Sequence, residues 1–313
     1  MSIVEKAAEK LKALPPEAQA PKLAAHEESE THPAAAVPAS TRAASTVERL
    51  QERARTTEQS VEVVPPWHID RVALKRMGLV PADAAAERRL ADELRGVKRP
   101  LLANATDKGA APIAHAKRIM VTSAEPSEGK TFTAVNLALS LAREADFEVL
   151  LVDGDIPKSD ITRVFGLGGQ PGLMDVLADE KLAPSDVVIQ TDVPNLLVVP
   201  AGQQNPLAAE LFRSRRMEHV FEEFGGRHRR RLLVFDSSPL LATPESQVLA
   251  SHMGQVVMVV AAGRTGRQAV ASALEKVSDL PYVGLVLNKS SLPAAMGYYG
   301  SQSHYLKALK GGA

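Results

Sequence analysis

A phosphate-binding pattern that follows an apolar segment is the feature that most constrains the fold of this chain. Residues 124–131 read Ala-Glu-Pro-Ser-Glu-Gly-Lys-Thr, which matches G-x-x-x-x-G-K-[ST] except that Ala124 replaces the first glycine. The apolar segment Ile119–Thr122 precedes the loop as a strand would, and Phe132–Arg143 has the apolar spacing of a helix. A strand, a loop and a helix in this order predict a cradle of backbone N–H groups at a helix N-terminus, where phosphate binds.

Nucleotide binding is therefore the first functional expectation. In such a loop the Lys130 ammonium neutralises the β- and γ-phosphates, and the Thr131 hydroxyl ligates Mg²⁺. The predicted nucleotide contacts in the loop are Glu128, Gly129, Lys130, Thr131 and Phe132. We expect ATP and Mg²⁺ as the cofactors of this site.

Composition excludes several other classes of protein. The 313 residues include 45% hydrophobic residues, enough for a real core, and the formal net charge of zero gives no field that would attract nucleic acid. The absence of cysteine excludes disulfides and thiolate metal sites and suits a reducing cytosol. The first 14 residues lack the apolar core of a signal peptide, and the longest apolar run, Val256–Ala262, is far shorter than the roughly 20 residues of a membrane span. We expect a cytoplasmic protein that reaches the inner face of the plasma membrane only through a partner.

Changes in composition divide the chain into three regions. Residues 1–66 are predicted to form a short amphipathic helix followed by a disordered linker rich in Ala, Pro, Glu and Thr. Residues 67–295 form the predicted domain, with leading helices in 67–117 and a nucleotide-binding core in 118–292. The small and polar residues of 296–313 predict a mobile C-terminal tail.

Within the core, short apolar segments alternate with amphipathic ones. The predicted strands are Ile119–Thr122, Val149–Val152, Leu196–Val199, Leu232–Phe235, Val256–Val260 and Val283–Leu287. The predicted helices are Ala84–Val97 (ending before Pro100), Phe132–Arg143, Leu173–Ala178, Leu207–Phe224, Pro244–His252 and Gly266–Ser278. Nearly continuous apolar strands separated by helices predict a mostly parallel sheet with helices on both faces. With the phosphate loop after the first strand, this is a doubly wound α/β nucleotide-binding fold.

Three aspartates come directly after predicted strands. Asp153 and Asp155 follow one strand, and Asp236 follows another. An aspartate in this position is often only the N-cap of a helix. Because the carboxyl ends of parallel strands share one edge with the phosphate loop, we expect these three to converge on the metal and the γ-phosphate. The predicted catalytic residues are Lys130, Asp153, Asp155 and Asp236, and the predicted metal ligands are Thr131, Asp153 and Asp236.

These motifs together resemble the bacterial tyrosine kinases (BY-kinases) of polysaccharide export, which have a MinD/ParA-like P-loop fold rather than a eukaryotic kinase fold. The matching segments are 124–131, 150–155, 234–239 and 205–217. Residues 98–104 and 250–255 are most similar to the cytoplasmic kinases of exosortase-linked exopolysaccharide loci. The resemblance implies an ATP-dependent tyrosine autokinase that acts with a membrane protein of the chain-length-determinant type.

The tail supports this resemblance. Tyr298, Tyr299 and Tyr305 are three of the four tyrosines of the chain, and they stand among Gly, Ser and Gln. Tyrosine usually contributes stability through burial, which a mobile tail does not provide. One interpretation is that the tail packs on its own domain. The other is that these tyrosines enter the site of a neighbouring subunit and are phosphorylated there.

Two departures from the family pattern concern electrostatics and assembly. Pro157 stands where the family usually has an arginine, and Lys158 follows it; a lysine does not reproduce the bidentate geometry of arginine. The family's oligomerisation motif is Glu-x-x-Arg-x-x-Arg. The best match here, Asp92-x-x-Arg95-x-x-Lys98, keeps the charges and the spacing but not all the residue types. A homo-oligomer is still expected from the resemblance.

Two alternatives and one further contact stay open at this stage. Asn288 follows the last predicted strand and either hydrogen-bonds adenine or caps a loop. A ParA/MinD-type positioning ATPase would carry a lysine at the position of Glu125, where an acid cannot neutralise phosphate across a dimer. A nucleotide-bound regulatory scaffold for polysaccharide chain length, without a needed kinase activity, is the second alternative.

Overall fold

The structure is a computed structural model that describes residues 65–225 and 230–290. All of these residues belong to the second of two units, Val64–Ala313; the first is Met1–Val63. The predicted N-terminal helix and linker therefore lie outside the described residues. The same is true of the predicted tail and its three tyrosines.

One sheet of seven strands forms the centre of the domain. The strands are β1 (Arg118–Ser123), β2 (Glu148–Gly154), β3 (Ile189–Gln190), β4 (Leu196–Val199), β5 (Arg231–Ser237), β6 (Gln255–Ala261) and β7 (Val283–Asn288). Their order is β3-β4-β2-β5-β1-β6-β7, and every pair is parallel except β3 with β4. The six predicted strands and the mostly parallel sheet are confirmed. The two-residue β3 was not predicted, because so short an edge strand leaves no apolar pattern.

Helices cover both faces of this sheet. They are α1 (Arg71–Arg76), α2 (Ala84–Ala105), α3 (Lys130–Leu141), α4 (Asp160–Val164), α5 (Leu173–Ala178), α6 (Ala208–Arg213), α7 (Arg215–Gly225), α8 (Pro244–Ser251) and α9 (Arg267–Glu275), with a 3-10 turn at Pro184–Val187. Residues alternate along each strand between two cores: in β1, Met120 contributes to one, whereas Ile119 and Val121 contribute to the other. Helices α1 to α4 pack on one core and α5 to α9 on the other. The doubly wound α/β fold is confirmed.

The prediction that the helix beginning at Ala84 ends before Pro100 is wrong. Helix α2 passes through Pro100 and continues to Ala105. Proline removes one backbone hydrogen bond from a helix interior, but tertiary contacts hold the turn that follows. Leu101 is 1% exposed, and the Asn104 side-chain amide donates to Gln255 Oε1 on β6 at 2.8 Å. The tertiary contacts of Leu101 and Asn104 therefore outweigh the loss of the helix hydrogen bond at Pro100.

The single helix predicted over Leu207–Phe224 is also wrong, since two helices occupy this stretch. Ser214 interrupts them with an extended backbone (φ −70°, ψ 157°) and its hydroxyl donates to the Leu211 carbonyl at 2.7 Å. The break lets Phe212 of α6 and Phe221 of α7 both be buried in the same core. Apolar spacing alone does not reveal such a break.

The segment before α1 is attached to the far edge of the sheet. Trp67 forms an isolated bridge with Thr191, and its indole N–H donates to the Phe165 carbonyl at 2.8 Å. Because β1, β2 and β5 run parallel, the phosphate loop after β1 and the carboxyl ends of β2 and β5 lie at one edge of the sheet. Among the described residues, no helix is long and apolar enough to cross a membrane.

Candidate functional site

The phosphate loop connects β1 to α3 and turns sharply at two residues. Ser127 has φ 66° and Gly129 has φ 102°, both in the left-handed region. A Cβ at Gly129 would come within 2.0 Å of the Asn288 side-chain nitrogen, so glycine is required by conformation and by space. Asn288 Nδ2 donates to the Glu128 carbonyl at 2.8 Å, and Lys289 Nζ donates to the Ser127 carbonyl at 2.7 Å. The end of β7 thus supports the loop from one side.

Lys130 is the first residue of α3 and its ammonium is buried in the site. It forms an ion pair with Asp155, which lies just beyond β2. The other oxygen of Asp155 accepts a hydrogen bond from the Ser238 hydroxyl at 2.7 Å. Burial alone would lower the pKa of Lys130, but the carboxylates of Asp236 and Asp155 outweigh this effect and raise it. The lysine is therefore held as a cation.

Asp153 and Asp236 are direct neighbours across β2 and β5. One oxygen of Asp153 accepts hydrogen bonds from the Thr162 N–H at 2.8 Å and from the Thr162 hydroxyl at 2.7 Å. Thr162 lies on α4, whose start after β2 brings it over the strand end. Helix α4 therefore orients Asp153 at the edge of the site.

Three buried carboxylate oxygens in this pair lack a hydrogen-bond partner within the described part of the chain: Oδ1 of Asp153 and both oxygens of Asp236. Burial raises the pKa of Asp236 to about 7 and that of Asp153 to about 6. Buried oxygens of this kind are costly unless a hydrogen-bond donor or a cation faces them. The pair has the chemistry of a site for a hard cation such as Mg²⁺.

The predicted site residues are thus largely brought together. The loop residues 128–131 lie beside Asp155, and Asp153 and Asp236 lie side by side on neighbouring strands. Phe132 is half-buried in the first turn of α3. The amide of Asn288 is engaged by the loop, so of its two predicted roles the structure shows the loop contact; adenine binding stays a prediction.

Sequence reasoning missed two residues that orient the carboxylates. Ser238 stands in the Asp-Ser-Ser-Pro segment at the end of β5. It comes two residues after Asp236, and this closeness to a predicted site residue could have indicated its role. Thr162 left no signal, because helix α4 has only five residues and was not predicted.

The three residues on α2 that match the oligomerisation motif, Asp92, Arg95 and Lys98, form ion pairs within the chain. Asp92 and Arg95 pair with each other at 2.8 Å on the exposed surface. Lys98, with 16% of its side chain exposed, pairs with Glu144 at 2.6 Å. Lys98 is thus less available to a second copy than its sequence position implied. Lys158, which follows the departure at Pro157, is exposed.

A phosphate loop after β1, a buried lysine and carboxylates at the ends of β2 and β5 define a P-loop nucleotide-binding protein of the α/β class. No protein-family profile matches the sequence. The sequence is 31% identical over 195 residues to the tyrosine-protein kinase YwqD of Bacillus subtilis, covering 61% of this chain and 81% of YwqD. It is also 31% identical over 194 residues to the tyrosine-protein kinase CpsD of Streptococcus agalactiae, covering 61% of this chain and 82% of CpsD.

The chain belongs to the family of bacterial tyrosine-protein kinases. Solved structures agree: the VpsO kinase domain is similar with a TM-score of 0.53 and 29% identity, over 64% of this chain and 96% of that domain. The kinase domain of the Escherichia coli tyrosine kinase ETK has the same fold, with a TM-score of 0.55 and 22% identity over 78% of this chain and 90% of that domain. The predicted family and enzyme class, protein-tyrosine kinase, are confirmed.

Proposed function

We propose that this chain transfers the γ-phosphoryl group of ATP to tyrosines in the C-terminal tail of a neighbouring copy, and that this reaction regulates exopolysaccharide biosynthesis or export. The observation that carries the proposal is the buried Lys130–Asp155 pair beside the unpartnered oxygens of Asp236. A lysine at the start of α3 and carboxylates on the neighbouring strands are the groups that phosphoryl transfer requires.

The residues of the site fit a Mg²⁺ ion. Asp236 and Asp153 would hold it, directly or through water, together with the Thr131 hydroxyl in the first turn of α3. Among the described residues, no group of three or more His, Asp or Glu side chains encloses a metal by itself. Phosphate oxygens and water would complete the shell, as is usual for Mg²⁺. When bound, Mg²⁺ neutralises charge on the phosphates.

Lys130 would turn part of its three N–H donors from Asp155 to the β- and γ-phosphates. Asp155, oriented by Ser238, is then free to position the metal or the incoming tyrosine. In the reaction the bond from the γ-phosphorus to the bridging oxygen breaks and a bond to the phenolic oxygen forms. ADP leaves, and the phenolic proton passes to a carboxylate or to water. Since tyrosine has a pKa near 10 and the transition state is loose, positioning contributes more than proton removal.

Tyr298, Tyr299 and Tyr305 are the proposed acceptors. Each phosphate adds about −1.5 to −2 charges, so several on one tail repel each other and favour its release from the donor site. The proposed partners are further copies of this chain and a membrane protein of the chain-length-determinant type, which activates the kinase. Through that partner the chain would work in the cytoplasm at the inner face of the plasma membrane.

Two alternative functions compete with this proposal. Glu125 is exposed at the position where ParA/MinD-type ATPases carry their second lysine, which disfavours that class. A regulatory scaffold that only binds nucleotide would retain ATP binding but would not need phosphorylation.

A mixing experiment tests transfer between copies. Chains with Lys130→Met and an intact tail are incubated with chains that have an intact site and Tyr→Phe at all three tail positions. Mg-ATP is added, with and without the cytoplasmic segment of the activator. We expect phosphotyrosine on the Lys130→Met chain only, measured by mass spectrometry after separation by a size tag.

Three outcomes would contradict the proposal. Phosphorylation of the unmixed Lys130→Met chain would place the site elsewhere, and a silent mixture beside an active wild type would exclude transfer in trans. Unchanged polysaccharide output from the triple Tyr→Phe strain would support the scaffold instead.

A further inference from the structure

Glu128 is a buried carboxylate within the phosphate loop itself. The residue is 1% exposed, and no cation pairs with it among the described residues. Its Oε2 accepts a hydrogen bond from the Glu125 N–H, three residues earlier in the same loop, at 2.7 Å. The carboxylate therefore closes a small ring inside the loop.

The second oxygen ties this ring to another part of the fold. Oε1 accepts a hydrogen bond from the Thr265 hydroxyl and a longer one, at 3.4 Å, from the N–H of Ala261. Ala261 ends β6, and Thr265 stands two residues before α9. The Ala261 N–H is also 3.2 Å from the Thr265 hydroxyl oxygen. One side chain thus joins the loop to the turn between β6 and α9.

A negative charge this close to a phosphate site is unfavourable unless donors face it. Glu128 has donors on both oxygens, and charge-assisted hydrogen bonds of this kind are stronger than neutral ones. Its position also fixes the loop between residues 125 and 128, in which Ser127 and Glu128 have N–H groups for the cradle, since Pro126 has none and the Glu125 N–H is bound to Glu128. A cradle fixed before binding needs no reorganisation when phosphate arrives.

We infer that Glu128 is a positioning residue that holds the phosphate loop open for nucleotide, and that Thr265 acts through it from the β6–α9 turn. The inference rests on the nucleotide site of the proposed function but not on tyrosine as the acceptor. It assigns a role to the side chain of Glu128 that differs from the direct nucleotide contact predicted from the sequence.

The experiment uses the full chain and measures the affinity for ADP with Mg²⁺ by calorimetry. Glu128→Gln keeps the shape but its amide nitrogen cannot accept, so at least one donor loses its partner; we expect ADP affinity to fall about tenfold. Thr265→Val removes one donor and should weaken ADP about threefold to tenfold. Thr265→Ser restores the hydroxyl and should bind like the wild type.

A control separates positioning from general loss of stability. Thr191→Val removes a buried hydroxyl that donates to the Leu196 carbonyl at 2.7 Å, at the opposite edge of the sheet. It should lower the unfolding midpoint without changing ADP affinity. For Thr265→Val we expect ADP affinity to fall whether or not the unfolding midpoint falls, together with a higher KM for ATP and a kcat that changes less.

Three results would overturn the inference. Thr265→Val and Glu128→Gln could bind ADP as tightly as the wild type, or Thr265→Ser could bind as weakly as Thr265→Val. A wild-type chain that does not bind ADP would overturn both this inference and the proposed function, whereas equal binding by all variants would overturn this inference alone. Thr265→Val keeps the test valid if Glu128→Gln does not fold.

Discussion

The phosphate loop and the carboxylates at the ends of β2 and β5 form two halves of the candidate site, and they differ in how many of their polar groups have a hydrogen-bond partner. On the phosphate-loop side, the carboxylate of Glu128 has a donor on each oxygen and its carbonyl accepts from Asn288. On the carboxylate side, both oxygens of Asp236 lack a partner among the described residues. The first half is complete without ligand. The second half faces the Lys130 ammonium but leaves carboxylate oxygens without a hydrogen-bond donor, which a bound cation would satisfy.

This difference has an energetic meaning. A buried carboxylate without a partner is costly, and its pKa rises because burial disfavours the charged form. Asp236, with its pKa raised to about 7, carries that cost, and Mg²⁺ would offset it. Lys130 lies between the halves, since it belongs to α3 but pairs with Asp155. Three substitutions test this division of roles, beginning with the residue that joins both halves.

Lys130→Met should have the largest effect. It removes the cation that holds the β- and γ-phosphates and leaves Asp155 unpaired, so we expect tyrosine phosphorylation to fall at least about 100-fold. The measurement is the rate of phosphotyrosine formation with Mg-ATP and activator. Lys276→Met is the matched control, since that exposed lysine follows the last turn of α9 and is not part of the phosphate loop or its supports. Full activity in Lys130→Met would show that this is not the phosphoryl-transfer site.

Asp236→Asn should stabilise the Mg²⁺-free protein while it abolishes the stabilisation by Mg²⁺. The folded pKa of Asp236 lies above its ordinary value, so the folded state binds more protons than the unfolded state between about pH 4 and pH 7. Stability therefore falls as the pH rises through this range. At pH 8 with a chelator, we expect the variant to gain about 2–3 kcal/mol in the free energy of unfolding.

Asp175→Asn is the control for this substitution, because the Asp175 carboxylate is fully engaged. It accepts from the Gly172 N–H at 2.8 Å and from the Gln203 N–H at 3.3 Å. The same change there should destabilise the protein. Urea unfolding at pH 5 and pH 8 measures both variants. A loss of stability in Asp236→Asn at pH 8 would mean that this carboxylate is not left unsatisfied by the fold.

The sequence could predict which residues lie together at this site, because their positions depend on local patterns and on one topological rule. Strand, loop and helix are contiguous around Lys130, and parallel strands place Asp153 and Asp236 on the same edge. Neither inference requires knowledge of side-chain packing. The fold could be predicted for the same reason, since six of the strands carry nearly continuous apolar segments.

What could not be predicted depends on tertiary contacts. Helix α2 continues past Pro100 because Leu101 is buried against the sheet, and the break at Ser214 serves two phenylalanines of one core. The hydrogen bonds of Glu128 with Thr265 and Ala261 join residues more than 130 positions apart. No local pattern contains a partner at that separation.

Thr162→Val should have the smallest effect of the three, because it alters the half of Asp153 that the protein already satisfies. The hydroxyl donates to Asp153 at 2.7 Å and accepts from the Ala201 N–H at 2.8 Å, while the Thr162 N–H would still reach the carboxylate. We expect a loss of about 1–2 kcal/mol in the free energy of unfolding. Thr162→Ser keeps both contacts and should lose less. A loss of stability in Thr162→Ser with none in Thr162→Val would show that the methyl group, and not the hydroxyl, contributes the stability at this position.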